Sequence, residues 1–377
     1  MKKIRQLFLL TFSVVVAISI FAGCGNSDGT SSQLSTQQSQ GQPDNGNAKQ
    51  VTTPEYTFRA SSEVPEEHLL AQSVKKFADL VNEYSNGRIN IEVYYNNVLG
   101  TPREVLEATQ FGTLDFCETP GMLMSGYTNR WKFFNMPFMW DSKDASSAFL
   151  ETDLAKETMD KIAEETGILM VGLLDNGFLD PYLNIPVETP NDVKKLKIRV
   201  QETDVWIQTW KDLGANATPL AFTEVYTALQ QGAMDGQANQ LITIDVGKFD
   251  EVSEYMIKLG MFVDRCVISM NYDLYESLPE ELQEVIIRAG NEASEWSVER
   301  GKTEFMNAYN NLIERGIKVV DLSSPEKRQL WIDATKPTYD WFRASFPEID
   351  FDAFLEVIAE CNAQYPPDPA DGWYTAP

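Results

Sequence analysis

The stretch Lys197–Asn239, KIRVQETDVWIQTWKDLGANATPLAFTEVYTALQQGAMDGQAN, decides how the rest of the chain is read. It opens as a short apolar strand, Ile198 and Val200, interrupted by Arg199. A guanidinium at a strand end calls for an anion to meet it. A helix follows, with Trp206 and Trp210 at i, i+4. The run LGANATPLAF is extended and broken by Gly214 and Pro219, and a second helix is expected over Thr223–Gln231, with Val225, Tyr226 and Leu229 at helical spacing. Gly232 stands where a left-handed residue ends such a helix, and AMDGQAN restarts as a strand ending in amides. Arg199, Phe222 and Asn239 therefore fall at element ends, where α/β folds place ligand groups.

The same pattern occurs earlier in the chain. EVLEATQFGTLD (Glu104–Asp115) and EVYTALQQGAMD (Glu224–Asp235) share Glu, Val, Ala, Gln, Gly and Asp at an offset of 120 residues. Each reads as a helix stopped by glycine and followed by a strand. Helix–glycine–strand is a common sequence, so convergence gives the same match. A true repeat pairs Thr119 with Asn239, and sets Glu118 and Thr119 opposite Gln237 and Asn239 across a cleft.

LKIRV, the Leu213–Asn239 run, NGRINIEVYYNNVLG and EATQFGTLDF together resemble the solute receptors of TRAP (tripartite ATP-independent periplasmic) transporters, of the DctP or C4-dicarboxylate type. The resemblance extends from about Tyr56 to at least Glu280. It implies an α/β, two-lobed periplasmic-binding-protein fold, with mixed sheets flanked by helices and a hinged ligand cleft. It implies that Arg199 grips a substrate carboxylate, that Asn239 belongs to the site, and that Phe222 lies against the ligand's apolar face. Without that motif Phe222 reads as core and Arg199 as a surface ion-pair partner. Trp206 or Trp210 is an equal candidate for the apolar wall. The family also contributes polar contacts from the first strand-to-helix loop, here Ser61, Ser62 and His68, although His68 by position reads as a surface residue at a helix N-terminus. The chain departs from the family in one place: Leu179 stands where many relatives carry a second arginine, twenty residues before Arg199.

Residues 1–23 read as a lipoprotein signal. Lys2, Lys3 and Arg5 precede an uncharged run, Leu7–Phe21, too short to span a bilayer, and Ala22-Gly23-Cys24 resembles a lipobox with Cys24 as the lipidated residue. Residues 24–52 read as a flexible spacer. Gly25–Gln50, a Ser/Gln/Gly/Asn-rich coil, spans on the order of 28 Å. The folded part is expected as lobe 1 (53–176 and 265–304), lobe 2 (177–264 and 305–350) and a C-terminal extension (351–377). YTNRWKFFNMPFMW (Tyr127–Trp140) is either a sugar-stacking platform or lobe packing. Single helices are expected over Ala145–Thr166 and Leu278–Tyr309, a buried strand over Ile168–Leu174, and a turn-rich crossing after it.

Removing residues 1–23 takes away three basic residues and no acidic ones, leaving 28 basic against 56 acidic, a net charge of −28. A surface that acidic excludes nucleic acid and anionic lipid as partners, and makes an anionic solute depend on one local cation. Cys117, Cys266 and Cys361 are too few and too scattered for a disulfide framework and read as buried apolar residues. His68 is the sole histidine, and CxxC and HxxxH are absent, so neither a zinc site nor a His-based triad is expected. No cofactor and no catalytic residue are expected. The partners implied are a small organic acid, integral membrane TRAP permease subunits and, through the lipid anchor, the cell membrane from its outer side, with the receptor itself a monomer. A lipoprotein that presents its ligand to a membrane sensor, and an extracytoplasmic hydrolase built on a carboxylate pair, are the alternative classes.

Overall fold

Alternating apolar residues and helix-stop glycines build two copies of one βαβαβ unit. The computed structural model describes residues 53–367; the signal, Cys24, the spacer and the last ten residues of the tail lie outside them. The first unit comprises β1 (Tyr56–Ser61), α1 (Leu69–Tyr84), β2 (Ile89–Tyr94), α2 (Pro102–Gln110) and β3 (Phe116–Pro120). The aromatic segment, two 3₁₀ turns over Gly121–Asn135, then leads to α3 (Lys143–Leu150), α4 (Asp153–Thr166) and β4 (Ile168–Leu183). The second unit is β5 (Lys197–Val200), α5 (Asp204–Asp212), β6 (Asn216–Pro219), α6 (Phe222–Gln230) and β7 (Gly236–Gln240). After it come α7 (Leu241–Val246), β8 (Tyr255–Lys258), β9 (Phe262–Asn271), α8 (Tyr272–Glu276), α9 (Glu280–Glu314), β10 (Lys318–Asp321), α10 (Pro325–Ser345) and α11 (Phe351–Gln364).

The sheet order is β2-β1-β3-β9-β4-β7-β5-β6, with β8 and β10 attached beside β4. It reads the same from both edges: β1 lies parallel between β2 and β3, and β5 lies parallel between β6 and β7. The two antiparallel strands β9 and β4 join the halves. The offset of 120 residues is therefore structural. Gly112 (φ +70°) and Gly232 (φ +68°) end α2 and α6 with the same bonds, Gly112 N–H to Thr109 O (3.1 Å) and Gly232 N–H to Leu229 O (3.0 Å). The carboxylates that follow match as well: Asp115 accepts from Arg59 N–H (2.7 Å) and Asp235 from Lys197 N–H (2.8 Å).

β4 corrects the expected crossing, because the strand does not stop at Leu174. Its first half pairs with β9, the register shifts between Asp175 and Phe178, and its second half takes β7 as partner. The bulge is held from below. Asp175 N–H donates to Ser297 Oγ (3.1 Å), Gly177 N–H donates to Asp175 Oδ1 (3.1 Å), and Lys143 and Arg265 flank the same carboxylate at 3.2 and 3.8 Å. Burial alone would raise the Asp175 pKa, but those two cations bring it below the usual carboxylate value. Helix α9 lies over this strand and packs on both α1 and α7. Gly290 makes the approach possible, since a Cβ there would meet the Val171 carbonyl oxygen.

Other elements also differ from expectation. Thr152 accepts the Ala155 N–H as an N-cap and splits Ala145–Thr166 into α3 and α4. The segment after Asn239 contains the strand β8 as well as a loop and helix. Tyr127–Trp140 is packing: Trp131, Phe133, Phe134 and Trp140 are buried, and Phe133 stacks on Phe354 of α11 at 4.0 Å. The first part of the C-terminal extension is thus a core helix. Cys117, Cys266 and Cys361 are buried and unbridged, as expected.

Candidate functional site

Parallel strands deliver their C-terminal ends to one place in each unit. Between them lies a cavity of about 160 Å³. The first unit lines it with Glu63, Val64 and Leu70 after β1, Thr101, Pro102 and Arg103 at the start of α2, Pro120 at the end of β3 and Leu123 after it. The second lines it with Arg199, Gln201 and Glu202 at the end of β5, Leu220, Ala221 and Phe222 at the start of α6, Asn239 and Gln240 at the end of β7, and Thr243 in α7. Asn176, on the β4 bulge, completes the wall. Thr101 and Ala221, again 120 residues apart, are the N-caps of α2 and α6.

Arg199 is only 2% exposed, yet it has no carboxylate bonded to it among the described residues. Its Nε donates to the Leu220 carbonyl (3.0 Å), which fixes the plane of the guanidinium, and its Nη1 is buried without a partner. Burial pulls its pKa down to about 10, with Glu63 and Glu202 opposing the shift, so the group stays protonated at neutral pH. A buried cation with an unspent N–H is costly unless an anion joins it. The adjoining helix favours the same charge. Ala221 offers no side chain to cap α6: Glu224 N–H turns back to the Ala221 carbonyl (3.0 Å), and the Phe222 and Thr223 N–H groups are left for another acceptor.

The expected site residues divide into three groups. Arg199, Phe222 and Asn239 line the cavity together. Gln237 and Glu118 stand directly behind that wall: Asn239 Nδ2 donates to Gln237 Oε1 (3.3 Å), and Glu118 Oε2 accepts from Ser62 Oγ (2.9 Å) and from Glu63 N–H (3.4 Å). Burial raises the Glu118 pKa to about 7, against the lowering effect of those bonds. The third group is displaced from the cavity. Thr119 is fully buried with its Oγ1 unpartnered, and its neighbour Pro120 stands on the wall. Ser61 is buried in the β1–β3 ladder opposite Cys117. His68 is not on the surface: it is buried, caps α1 by accepting Leu70 N–H at Nδ1 (3.2 Å), and burial lowers its pKa to about 4. Trp206 is core, stacked on Phe262 at 4.3 Å, and Trp210 is buried in the same cluster.

Sequence reasoning missed Glu63, Asn176, Gln201, Gln240 and Thr243. Asn176 had a signal, the Asn-Gly pair at the bulge. Glu63 and Gln201 follow β1 and β5 at equivalent places in the two ladders, but FRASSE and LKIRVQ share only a basic residue, Arg59 and Lys197.

The model of the bacterial extracellular solute-binding proteins, family 7, matches residues 60–345. A solute-binding protein of Verminephrobacter eiseniae is 30% identical over 250 residues, 66% of this chain and 74% of that one. The C4-dicarboxylate-binding periplasmic protein DctP of Vibrio cholerae is 29% identical over 263 residues, 70% and 78% of the two chains. Among solved structures, a TRAP periplasmic solute-binding protein of Anaerococcus prevotii with bound α/β-D-glucuronate superposes with a TM-score of 0.77 at 25% identity, covering 83% of this chain and all of that one (100%). The two-lobed α/β fold expected from the sequence is the fold observed.

Proposed function

Because this chain belongs to the bacterial extracellular solute-binding proteins of family 7, as a TRAP receptor of the DctP type, we propose that it captures a small organic acid, a dicarboxylate or a sugar acid, by pairing the solute carboxylate with Arg199. The observation that carries this reading is the arginine itself: buried on a cavity wall, oriented by Leu220 O, and holding an unpartnered Nη1. A planar guanidinium gives a carboxylate two parallel N–H bonds, and the uncapped α6 terminus adds further donors. Phe222, Leu70 and Leu123 shield that pair from water, and Asn239, Asn176 and Gln240 offer amides to the remainder of the solute. Gln237 holds Asn239 in place, Glu118 backs Glu63, and Trp206 serves the core instead of the ligand.

The lobes are 53–176 with 265–304 and 177–264 with 305–350, hinged where β4 exchanges β9 for β7 at the Asp175–Phe178 bulge. Closure buries the carboxylate, and the loaded receptor hands its solute to the membrane permease. Cys24 carries the lipid that tethers the receptor outside the cell membrane. Among the described residues no helix is long and apolar enough to cross a membrane.

A thermal-shift screen followed by calorimetry tests the ligand class. Acids should raise the melting temperature by mass action, and calorimetry should give saturable binding. A neutral sugar or an amine that binds better than every mono- and dicarboxylate would contradict the reading.

A further inference from the structure

Of the two cations on the cavity wall, Arg103 is spent at the rim on Glu202 (2.8 Å), and Arg199 is the buried one. Two acids share the interior with it. Glu63 is half-buried on the wall, and Glu118 lies fully buried behind it. Glu118 Oε2 accepts Glu63 N–H (3.4 Å) and Ser62 Oγ (2.9 Å), while its Oε1 has no partner. A carboxylate oxygen of each acid and the Cys266 sulfur lie within 4.8 Å of one another. Two carboxylates that close and out of water do not both ionise; they titrate as one unit that retains a proton.

The surroundings of the pair leave Arg199 to offset its charge. From β9 come Asp264, which accepts Gln240 Nε2 (3.3 Å), and Arg265, which is turned to Lys143 O (3.1 Å), Ser147 Oγ (2.6 Å) and the Asp175 carboxylate (3.8 Å). Glu66 and Glu67 of the same loop are exposed. His68, lowered to about 4 by burial, and the Cys266 thiol, pushed well up by burial, keep one charge state near neutral pH. Burial, Glu118 and Asp264 all push Glu63 up, and Arg199 opposes them. A solute carboxylate on Arg199 cancels that opposition. The pair then has no compensating charge, and taking a proton from solvent costs less than holding the anion unpaired. We propose that Glu63 and Glu118 form a proton site coupled to the solute site, so that the receptor loads an anion and a proton together. The inference rests on the carboxylate–Arg199 reading above and adds a second, chemically different ligand to it.

The test is calorimetric titration of the purified mature receptor with D-glucuronate, D-galacturonate and L-malate from pH 6.5 to 8.5, with and without EDTA. The probes are ionised throughout that range, and Arg199, at about 10, stays charged. Any pH dependence therefore belongs to the acids of the protein. Wild-type affinity should fall roughly tenfold as the pH rises across the range. At pH 7.5 the binding heat should vary with the ionisation enthalpy of the buffer, and report uptake of roughly half to one proton per solute. Glu63→Gln, and Glu63→Gln combined with Glu118→Gln, should bind more tightly than wild type at pH 8.5, and the double variant should lose most of the pH slope. A wild-type affinity and heat independent of pH and buffer overturn the proposal and leave the Arg199 pairing intact. So does a double variant that keeps the wild-type slope, since another group would then carry the proton. Binding that is lost in EDTA overturns it too, because the acids would be holding a metal ion in place of the proton. Failure of all three probes to bind removes the carboxylate reading and this inference with it.

Discussion

The two halves of the receptor share a skeleton and differ in charge at the cavity. β2-β1-β3 and β6-β5-β7 repeat the same parallel ladder, the same glycine-terminated helix and the same aspartate on the strand N–H. Yet Ser61 in one ladder faces Cys117 where Arg199 in the other faces Gln237. Thr101 closes α2 with a complete capping box to Glu104, whereas Ala221 leaves α6 open. The first half contributes Glu63 and Glu118, and the second contributes the guanidinium and the free helix terminus. A repeated fold thus places two strand-end clusters face to face, and substitutions at a few equivalent positions make one acidic and the other an N–H donor surface that suits an anion.

Giving the second half the cap of the first is the sharpest way to break that contrast. Ala221→Asp supplies α6 with a side-chain acceptor, which should stabilise the ligand-free protein by about 1 kcal/mol. The same carboxylate occupies the donors meant for the solute and repels it, so affinity should fall roughly tenfold or more. Melting and titration of one variant measure both. A variant with unchanged affinity would show that the helix terminus plays no part in binding.

A smaller effect follows from the acidic side. Glu118 and Asp264 titrate near 7 in the folded protein, as does Asp180, each raised mainly by burial. Their pKa values in the unfolded chain are about 4, so between about pH 7 and 5 the folded state holds protons that the unfolded state has lost. Stability should therefore rise as the pH falls through that window. Glu63, pushed well above the glutamate range by burial and by Glu118 and Asp264, acts in the same sense. His68, lowered to about 4 by burial, works in the opposite sense once the pH drops below its unfolded value of about 6.5, and offsets one of these protons. The ligand-free melting temperature should increase from pH 7.5 to pH 5 by a few degrees, on the order of what one proton or two provide, and Glu118→Gln with Asp264→Asn should flatten the curve. A melting temperature that falls steadily over the same range would contradict the assignment.

Much of this was legible in the chain. Helical spacing and glycine stops placed α5 around Trp206 and Trp210, gave α6 to within one residue at each end and the end of β7 to within one, and the offset of 120 pointed to a repeat that the ladders now display. Arg199, Phe222 and Asn239 were legible because a long ordered motif carried them. Thr119 and Ser61 stand at the places equivalent to Asn239 and Arg199, but they are short, buried side chains that do not line the cavity, and the phase of α5 puts Trp206 against Phe262 in the core. His68 read as exposed because Pro65, Glu66 and Glu67 suggested a helix start three residues early. β4 read as ending at Leu174 because Asp175-Asn176-Gly177 is turn chemistry, which the structure uses for a bulge inside a continuing strand.

The central claim is that Arg199 is buried for the ligand and not for the fold. Its direct test is a paired measurement of ligand-free melting temperature and titrated affinity for Arg199→Ala and Arg199→Lys. Both variants should melt at or above the wild-type temperature, since the wild type holds a desolvated cation without an ion-pair partner. Arg199→Ala should lose at least about tenfold in affinity, which corresponds to about 1.4 kcal/mol, and Arg199→Lys should not restore it, because an ammonium lacks the bidentate fork. Collapse of the ligand-free protein, or an affinity equal to wild type, would show that Arg199 is a structural residue and that the carboxylate is held elsewhere.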